Sequence, residues 1–380
     1  MKSMKTLFTT ILILCIQTLF AQTDSNLESM RESYKNGEYK SLINKYADKT
    51  KKLSAKEIYY VGMSYYMLED DENALKFLSA SIEKGPADFD MYYYRGMTLY
   101  YMKQYAEALP DINRAIDLLP DEMDFYLGKS KVYSALGKTD SAILTLETAF
   151  QIDSSNIQIL DELAYLLSET KNYNRAIHIN KCVLNNVSEN SNEYKNALYN
   201  IGLFHLLLGQ ADKAEPYLIS CLEKFPKYYD AIPKLIQSFY AQKKYSESES
   251  YKKSLYELHT KNVLPNSMED MFCYDQFYWK DKLVMAYEYF EVLDNGFKTI
   301  KYRFFVTDGK GNIEYWVQSE SSAAVRQSEG DYILAVEKNN NHFSYWSYKF
   351  SDLSDYDALK EQLLKILNEE IQPDASTIRK

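Results

Sequence analysis

Apolar residues along the first two thirds of the chain recur at helical intervals. In one stretch, Tyr126, Val132, Tyr133, Leu136, Ile143, Leu146, Ala149 and Phe150 mark one face of a helix and then of a second. Short polar turns break the pattern, as in "LGKTD" (Leu136–Asp140) and "LGQAD" (Leu208–Asp212). After "HTKNVLPNSMED" (His259–Asp270) the period changes to two, the alternation of strands with one buried face.

The helical part repeats itself. Ala74, Ala108, Ala142 and Ala176 stand 34 residues apart, and Gly62, Gly96, Ser130 and Ala164 keep the same interval twelve residues upstream. Ser81, Ala115 and Ala149 keep it seven residues downstream. After a slip of four residues the pattern resumes at Gly202, Ala214 and Cys221. Small residues at fixed offsets predict two antiparallel helices per unit whose backbones approach closely at those positions. One such unit cannot bury its apolar face alone, so units stack.

These lines resemble the tetratricopeptide (TPR) family. The small line is Gly62, Gly96, Ser130, Ala164 and Gly202, and the alanine line is Ala74, Ala108, Ala142, Ala176 and Ala214. Tyr65 and Tyr133 fill the family's aromatic position in the first helix. Tyr39, Tyr105, Tyr173 and Tyr245 fill the one before the second helix, and Pro86, Pro120 and Pro226 the terminal one. Where the family often begins with Trp, this chain has Ile58, Tyr92 and Tyr126. A degenerate unit precedes the clear ones around Asn36–Ile43, and a weak one follows over Asp230–Leu255. The resemblance spans about residues 24–258. It implies an α-solenoid of helix pairs, a right-handed superhelix whose concave face commonly holds a peptide.

On the first helices, Tyr59, Met63 and Tyr66 form one stripe, repeated by Tyr93, Met97 and Tyr100. Such a stripe suits peptide binding, because tyrosine gives contact area at low entropic cost and methionine adapts its shape. It equally suits packing between adjacent first helices, and both readings stay open. Further along the stripe turns polar, with Lys131 in the third unit and Tyr165 in the fourth. The candidate peptide-binding residues are therefore Tyr59, Met63, Tyr66, Tyr93, Met97, Tyr100, Lys131 and Tyr165. The lysine/asparagine clamp of some TPR chaperone cofactors is not reproduced, since Tyr59 and Met63 stand at its first positions.

The C-terminal part reads as an α+β domain, an antiparallel meander closed by a helix. "DNG" (Asp294–Gly296) signals a two-residue hairpin, and "DGKGN" (Asp308–Asn312) a second turn. The first turn sets Tyr289 opposite Tyr302, Tyr287 opposite Phe304 and Met285 opposite Val306. The second sets Val306 opposite Tyr315 and Phe304 opposite Val317. The other face then pairs Glu288 with Arg303 and Lys301 with Glu320 in solvent. Strands are expected at Phe272–Trp279, Tyr332–Lys338 and Phe343–Phe350. A helix over about Tyr356–Glu370, capped by Ser354 with Asp357, is expected to cover the sheet.

Charge and the N-terminus add a location. Lys2 and Lys5, the apolar run Leu7–Phe20 and the small Ala21 read as a secretory signal. The run is about 14 residues, short of the roughly 20 that span a membrane. Leu14 stands where lipid attachment at Cys15 would need Gly or Ala. The expected division is 1–21 signal, 22–258 repeats and 259–380 α+β domain. Cleavage would take the formal net charge from −10 to −12 by removing Lys2 and Lys5. That balance disfavours a nucleic-acid partner, and no integral membrane span is expected in the mature chain. Cys182, Cys221 and Cys273 are too widely spaced for a disulfide framework. The four histidines show no metal-ligand spacing, and no phosphate loop or nucleophile elbow appears, so no cofactor, metal or catalytic residue is expected. His205 reads as a packed aromatic. The sequence thus points to a non-enzymatic exported scaffold with a protein or peptide partner, in the periplasm or envelope of a Gram-negative bacterium or secreted from it. The alternative is a ligand-binding or enzymatic C-terminal domain for which the repeats are a mount.

Overall fold

The computed structural model describes residues 26–265, 272–292, 298–308, 312–321, 332–338, 341–347 and 356–372. Residues 1–21, expected to be a secretory signal, the "DNG" turn and Ser354 lie outside the described residues, as do residues 348–350 and the side chains of Lys301 and Glu320. The chain forms two compact units, one up to Thr170 and one from Lys171 onward.

The first unit is helical. It holds α1 (26–35), α2 (Tyr39–Tyr46), a 3-10 turn (Ala47–Lys52), α3 (Ala55–Met67), α4 (Asp71–Lys84), α5 (Phe89–Tyr101), α6 (Tyr105–Leu118), α7 (Met123–Ala135), α8 (Thr139–Ile152) and α9 (Ile157–Glu169). Local chemistry starts these helices. Ser54 caps α3 with a capping box, its side chain accepting from the Glu57 amide while Glu57 accepts from the Ser54 amide at 2.6 Å. Asp70 and Asp88 cap α4 and α5 in the same position.

The small lines fall where the helices of a pair touch. A Cβ on Gly62 would stand 3.0 Å from the backbone nitrogen of Leu78, and one on Gly96 would stand 2.8 Å from Ile112 Cγ1. Ala74, Ala108 and Ala142 are fully buried opposite them. Arg95 on α5 grips Asp111 on α6 through two 2.6 Å bonds, Nε to Oδ2 and Nη2 to Oδ1. The turn between the two helices of a pair places one residue in the left-handed region each time. Gly37, Gly137 and Gly209 take it, but so do Glu69, Lys103, Lys171 and Lys243.

The second unit continues with α10 (Tyr173–Asn186), α11 (Asn192–Leu207), α12 (Ala211–Lys224), α13 (Ala231–Ala241) and α14 (Tyr245–Thr260). A Cβ on Gly202 of α11 would meet Leu218 Cγ at 2.6 Å, so this pair is as tight as those above. The weak unit over Asp230–Leu255 is realised as α13 and α14. An antiparallel meander follows, β1 (Phe272–Trp279), β2 (Lys282–Val292), β3 (Lys298–Thr307), β4 (Ile313–Ser321), β5 (Tyr332–Lys338) and β6 (Asn341–Ser347), in sequence order. Then comes α15 (Tyr356–Leu367). Its apolar residues Tyr356, Leu359, Leu363, Ile366 and Leu367 share one core with Val284, Ala286, Phe304, Val306 and Val317 of the sheet. Ile232, Ile236, Tyr240 and Leu255 of α13 and α14 belong to the same core, so the sheet is built onto the last helix pair.

The β3–β4 register is the expected one, Val306 opposite Tyr315 and Phe304 opposite Val317. The β2–β3 register is not. Met285 faces Phe305, Tyr287 faces Arg303 and Glu288 faces Tyr302, one residue away from the expected pairing. A one-residue slip turns every side chain to the other face. Val284, Ala286 and Glu288 therefore point to the core, and Glu288 is 4% exposed rather than solvated beside Arg303. The ladder's last pair is Val292 with Lys298, which leaves five residues in the connection where two were expected.

Candidate functional site

The tyrosines of the first unit form a connected surface. Ring contacts run from Tyr34 to Tyr60 and Tyr59, from Tyr59 to Tyr94 at 6.4 Å, and from Tyr94 to Tyr66 at 5.4 Å. Tyr66 reaches Tyr101 at 6.0 Å, and Tyr93 joins Tyr94 to Phe125. The rings mostly meet edge-on or tilted, the arrangement their quadrupoles favour. Lys56 lies over the Tyr59 ring at 4.6 Å.

The structure divides the predicted residues into three groups. Tyr59, Met63 and Met97 are buried, the last two at 2% and 4% exposure. Tyr59 and Met63 pack with Met91 of the next pair, and Tyr93 and Met97 press on Gly128, where a Cβ would meet Tyr93 at 2.8 Å and Met97 Sδ at 3.1 Å. These residues join neighbouring first helices. Tyr66, Tyr93 and Tyr100 are half-buried and keep part of their rings open. Lys131 and Tyr165 are exposed, Tyr165 at 57%, and take no part in the ring network. Sequence reasoning passed over Tyr94 and Tyr101, the latter 53% exposed. Each lies one residue past a stripe position, and the signal was present in the runs "YYY" (Tyr92–Tyr94) and "YY" (Tyr100–Tyr101). Burial pushes Tyr66, Tyr93 and Tyr94 above the ordinary tyrosine range, so all stay neutral donors.

The second unit holds a charged centre that sequence reasoning did not predict. A β-bulge between Cys273 and Asp275 turns Asp275 inward, where its side chain is 1% exposed. Oδ1 accepts from Lys252 Nζ at 2.9 Å and from the Gln276 backbone N–H at 2.9 Å. Oδ2 accepts from the Tyr356 hydroxyl at 2.6 Å and Lys360 Nζ at 2.7 Å. Burial alone would raise the Asp275 pKa, but Lys360 and Lys252 outweigh it and hold the carboxyl below its usual range. Burial, with the Asp275 charge beside it, raises the Tyr356 hydroxyl. This centre floors a cleft of ≈ 440 Å³ walled by Tyr240, Lys253, Tyr256, Tyr274 and Asp357. Nearby, His259 stacks on Phe272 at 4.1 Å, and its Nε2 stands 3.6 Å from Glu288, whose carboxyl burial raises. His205 is packed, its Nδ1 3.0 Å from Gln210 Oε1. Cys182, Cys221 and Cys273 are free thiols.

Comparison with known proteins bears on the helix pairs. Residues 89–122, 124–156 and 196–228 each match a family model described as tetratricopeptide repeat. The chain carries tetratricopeptide repeats. The model matches stop at residue 228, and the C-terminal sheet has none. Among solved structures, the C-terminal part of a TPR repeat-containing protein from Cytophaga hutchinsonii aligns with a TM-score of 0.54 at 16% identity, over 63% of this chain and 97% of that one. That likeness supports the TPR fold. A tetratricopeptide repeat protein from Parabacteroides merdae aligns at 17% identity over 58% of this chain and 79% of that chain, with a TM-score of 0.40. YrrB, described as a TPR protein with an unusual peptide-binding site, aligns at 16% identity over 51% and 96%, also at 0.40. No curated protein sequence matches the chain. TPR repeats support a protein-interaction scaffold. Among the described residues no helix is long and apolar enough to cross a membrane.

Proposed function

We infer that this TPR protein is exported after loss of residues 1–21 and works as a non-enzymatic scaffold in an envelope or secretion-related assembly. Its partner is a protein segment, apolar or proline-containing, that lies across the tyrosine surface of α3 and α5. The observation that carries this reading is the set of rings left open after packing: Tyr66, Tyr93, Tyr94 and Tyr100 half-exposed, with Tyr101 at 53%. Connected, neutral phenol rings offer apolar faces and hydroxyl donors together, the combination that dominates peptide interfaces. Tyr59, Met63 and Met97 support this surface from beneath.

The test uses the full chain and a panel of immobilised peptides, apolar and proline-containing. Tyr94→Ser and Tyr101→Ser should weaken capture about tenfold each, with the helical circular dichroism unchanged. Leu144→Ser on α8, a residue 65% exposed and outside the ring contacts described above, is the control. Equal capture by all three variants sinks the reading. Export is tested separately by cell fractionation, and a chain retaining residues 1–21 in the cytosol refutes it.

A further inference from the structure

A second, smaller cleft in the C-terminal unit holds a lysine that makes no ion pair with the described residues. The cleft, ≈ 220 Å³, opens between Tyr199 of α11, the start of α13, Leu255 of α14 and the first strand pair. Lys234 lines it and forms no ion pair or hydrogen bond among the described residues. The other polar groups in the lining are almost all neutral. Burial pushes the Cys273 thiol up to about 12 despite the nearby Lys234, and Tyr199 and Tyr287 are likewise raised to about 12. The Gln276 side-chain Nε2 donates to the Pro233 carbonyl at 2.9 Å, and the carboxamide is a dipole, not a charge. Asp230 is the one acid in the described lining; it is exposed and makes no ion pair with Lys234, and its charge offsets only part of the cost of burying the ammonium. Phe272, Leu255 and Met285 supply apolar walls.

An ammonium half-removed from water with no hydrogen-bond acceptor among the described residues is costly, and burial lowers the Lys234 pKa despite the Asp230 charge. Elsewhere in the same unit the chain meets that cost with an acid, as Asp275 does for Lys252 and Lys360. At Lys234 the described residues place only the unpaired Asp230 and an open cleft. That space is below the roughly 300 Å³ at which drug-sized pockets begin, so its occupant is small.

We propose that this cleft binds a fragment-sized organic acid, its carboxylate on Lys234 and its apolar body against Phe272, Leu255 and Met285. The site is independent of the tyrosine surface, so either can fail alone. The test is calorimetry on the full chain with 3-phenylpropanoate and, as the uncharged isostere, 3-phenylpropanamide. The acid should bind saturably at millimolar concentration or below, and the amide at least about tenfold more weakly. Lys234→Met should abolish the preference for the acid while leaving any weak amide binding, and Met285→Trp, which fills the cleft without touching the charge, should abolish both. Equal binding of acid and amide, no saturable binding of the acid, or undiminished acid binding by a folded Lys234→Met protein overturns the proposal. Because the acid–amide comparison uses the unaltered protein, it decides the matter even if a variant fails to fold.

Discussion

Removing the Asp275 carboxylate should unlatch the C-terminal sheet. Asp275→Ala leaves Lys252 and Lys360 side by side, at 19% and 26% exposure, with no shared anion, and leaves the Tyr356 hydroxyl without its acceptor. Breaking a buried pair by deleting one partner costs about 3–5 kcal/mol, and both lysines keep some water, so the lower half of that range is expected. The assay is urea unfolding followed by tryptophan fluorescence. Trp279, Trp316 and Trp346, the chain's three tryptophans, lie in β1, β4 and β6, so the signal reports the sheet. The pH dependence follows from the depressed pKa of Asp275. A carboxyl held below its unfolded value of about 3.9 contributes stability above that value and loses it as pH falls through the folded value. The difference between wild type and Asp275→Ala should therefore be full at neutral pH and shrink below about pH 4. A difference under about 1 kcal/mol at neutral pH, or one that persists unchanged in acid, would refute the argument.

Gly62→Val should destabilise the first unit by about 1–3 kcal/mol, read by helical circular dichroism in urea, because the new Cβ would meet the Leu78 backbone nitrogen as well as its Cγ at 3.0 Å, and the backbone atom cannot swing away. Arg95→Met strands Asp111, 7% exposed, and should cost about 2–3 kcal/mol, below the fully buried range because Arg95 keeps solvent contact. A fragment ending at residue 258 should aggregate on size-exclusion chromatography, since it bares Ile232, Ile236, Tyr240 and Leu255; a monomeric fragment with full helical content would contradict the shared core.

The repeats were legible because their signal is redundant. Gly62 and Gly96 are fixed by the partner helix's backbone and side chains, Gly202 by the Leu218 side chain, Ala74, Ala108 and Ala142 by the opposing helix, and the two lines keep step. The β2 register was not legible, because both alternating sets of that strand are apolar. Val284 and Ala286 compete with Met285 and Tyr287, so hydrophobic alternation gave no preference and the turn decided wrongly. The Asp275 centre was hidden for a different reason. Its partners lie 23 and 85 residues away on separate helices, and one acid within "FCYDQFYW" reads as an ordinary polar strand position until a bulge turns it inward.

The repeating hairpin between the helices of each pair has a consequence for engineering. Glu69, Lys103, Lys171 and Lys243 hold a left-handed backbone that glycine holds at three equivalent places, and all four are exposed. A side chain there costs roughly 1 kcal/mol, partly offset by the greater flexibility that glycine brings to the unfolded chain. Four positions thus offer a hardier variant without disturbing a single core contact. Natural selection has left that thermal headroom unused, and it sits at the bends rather than in the interior.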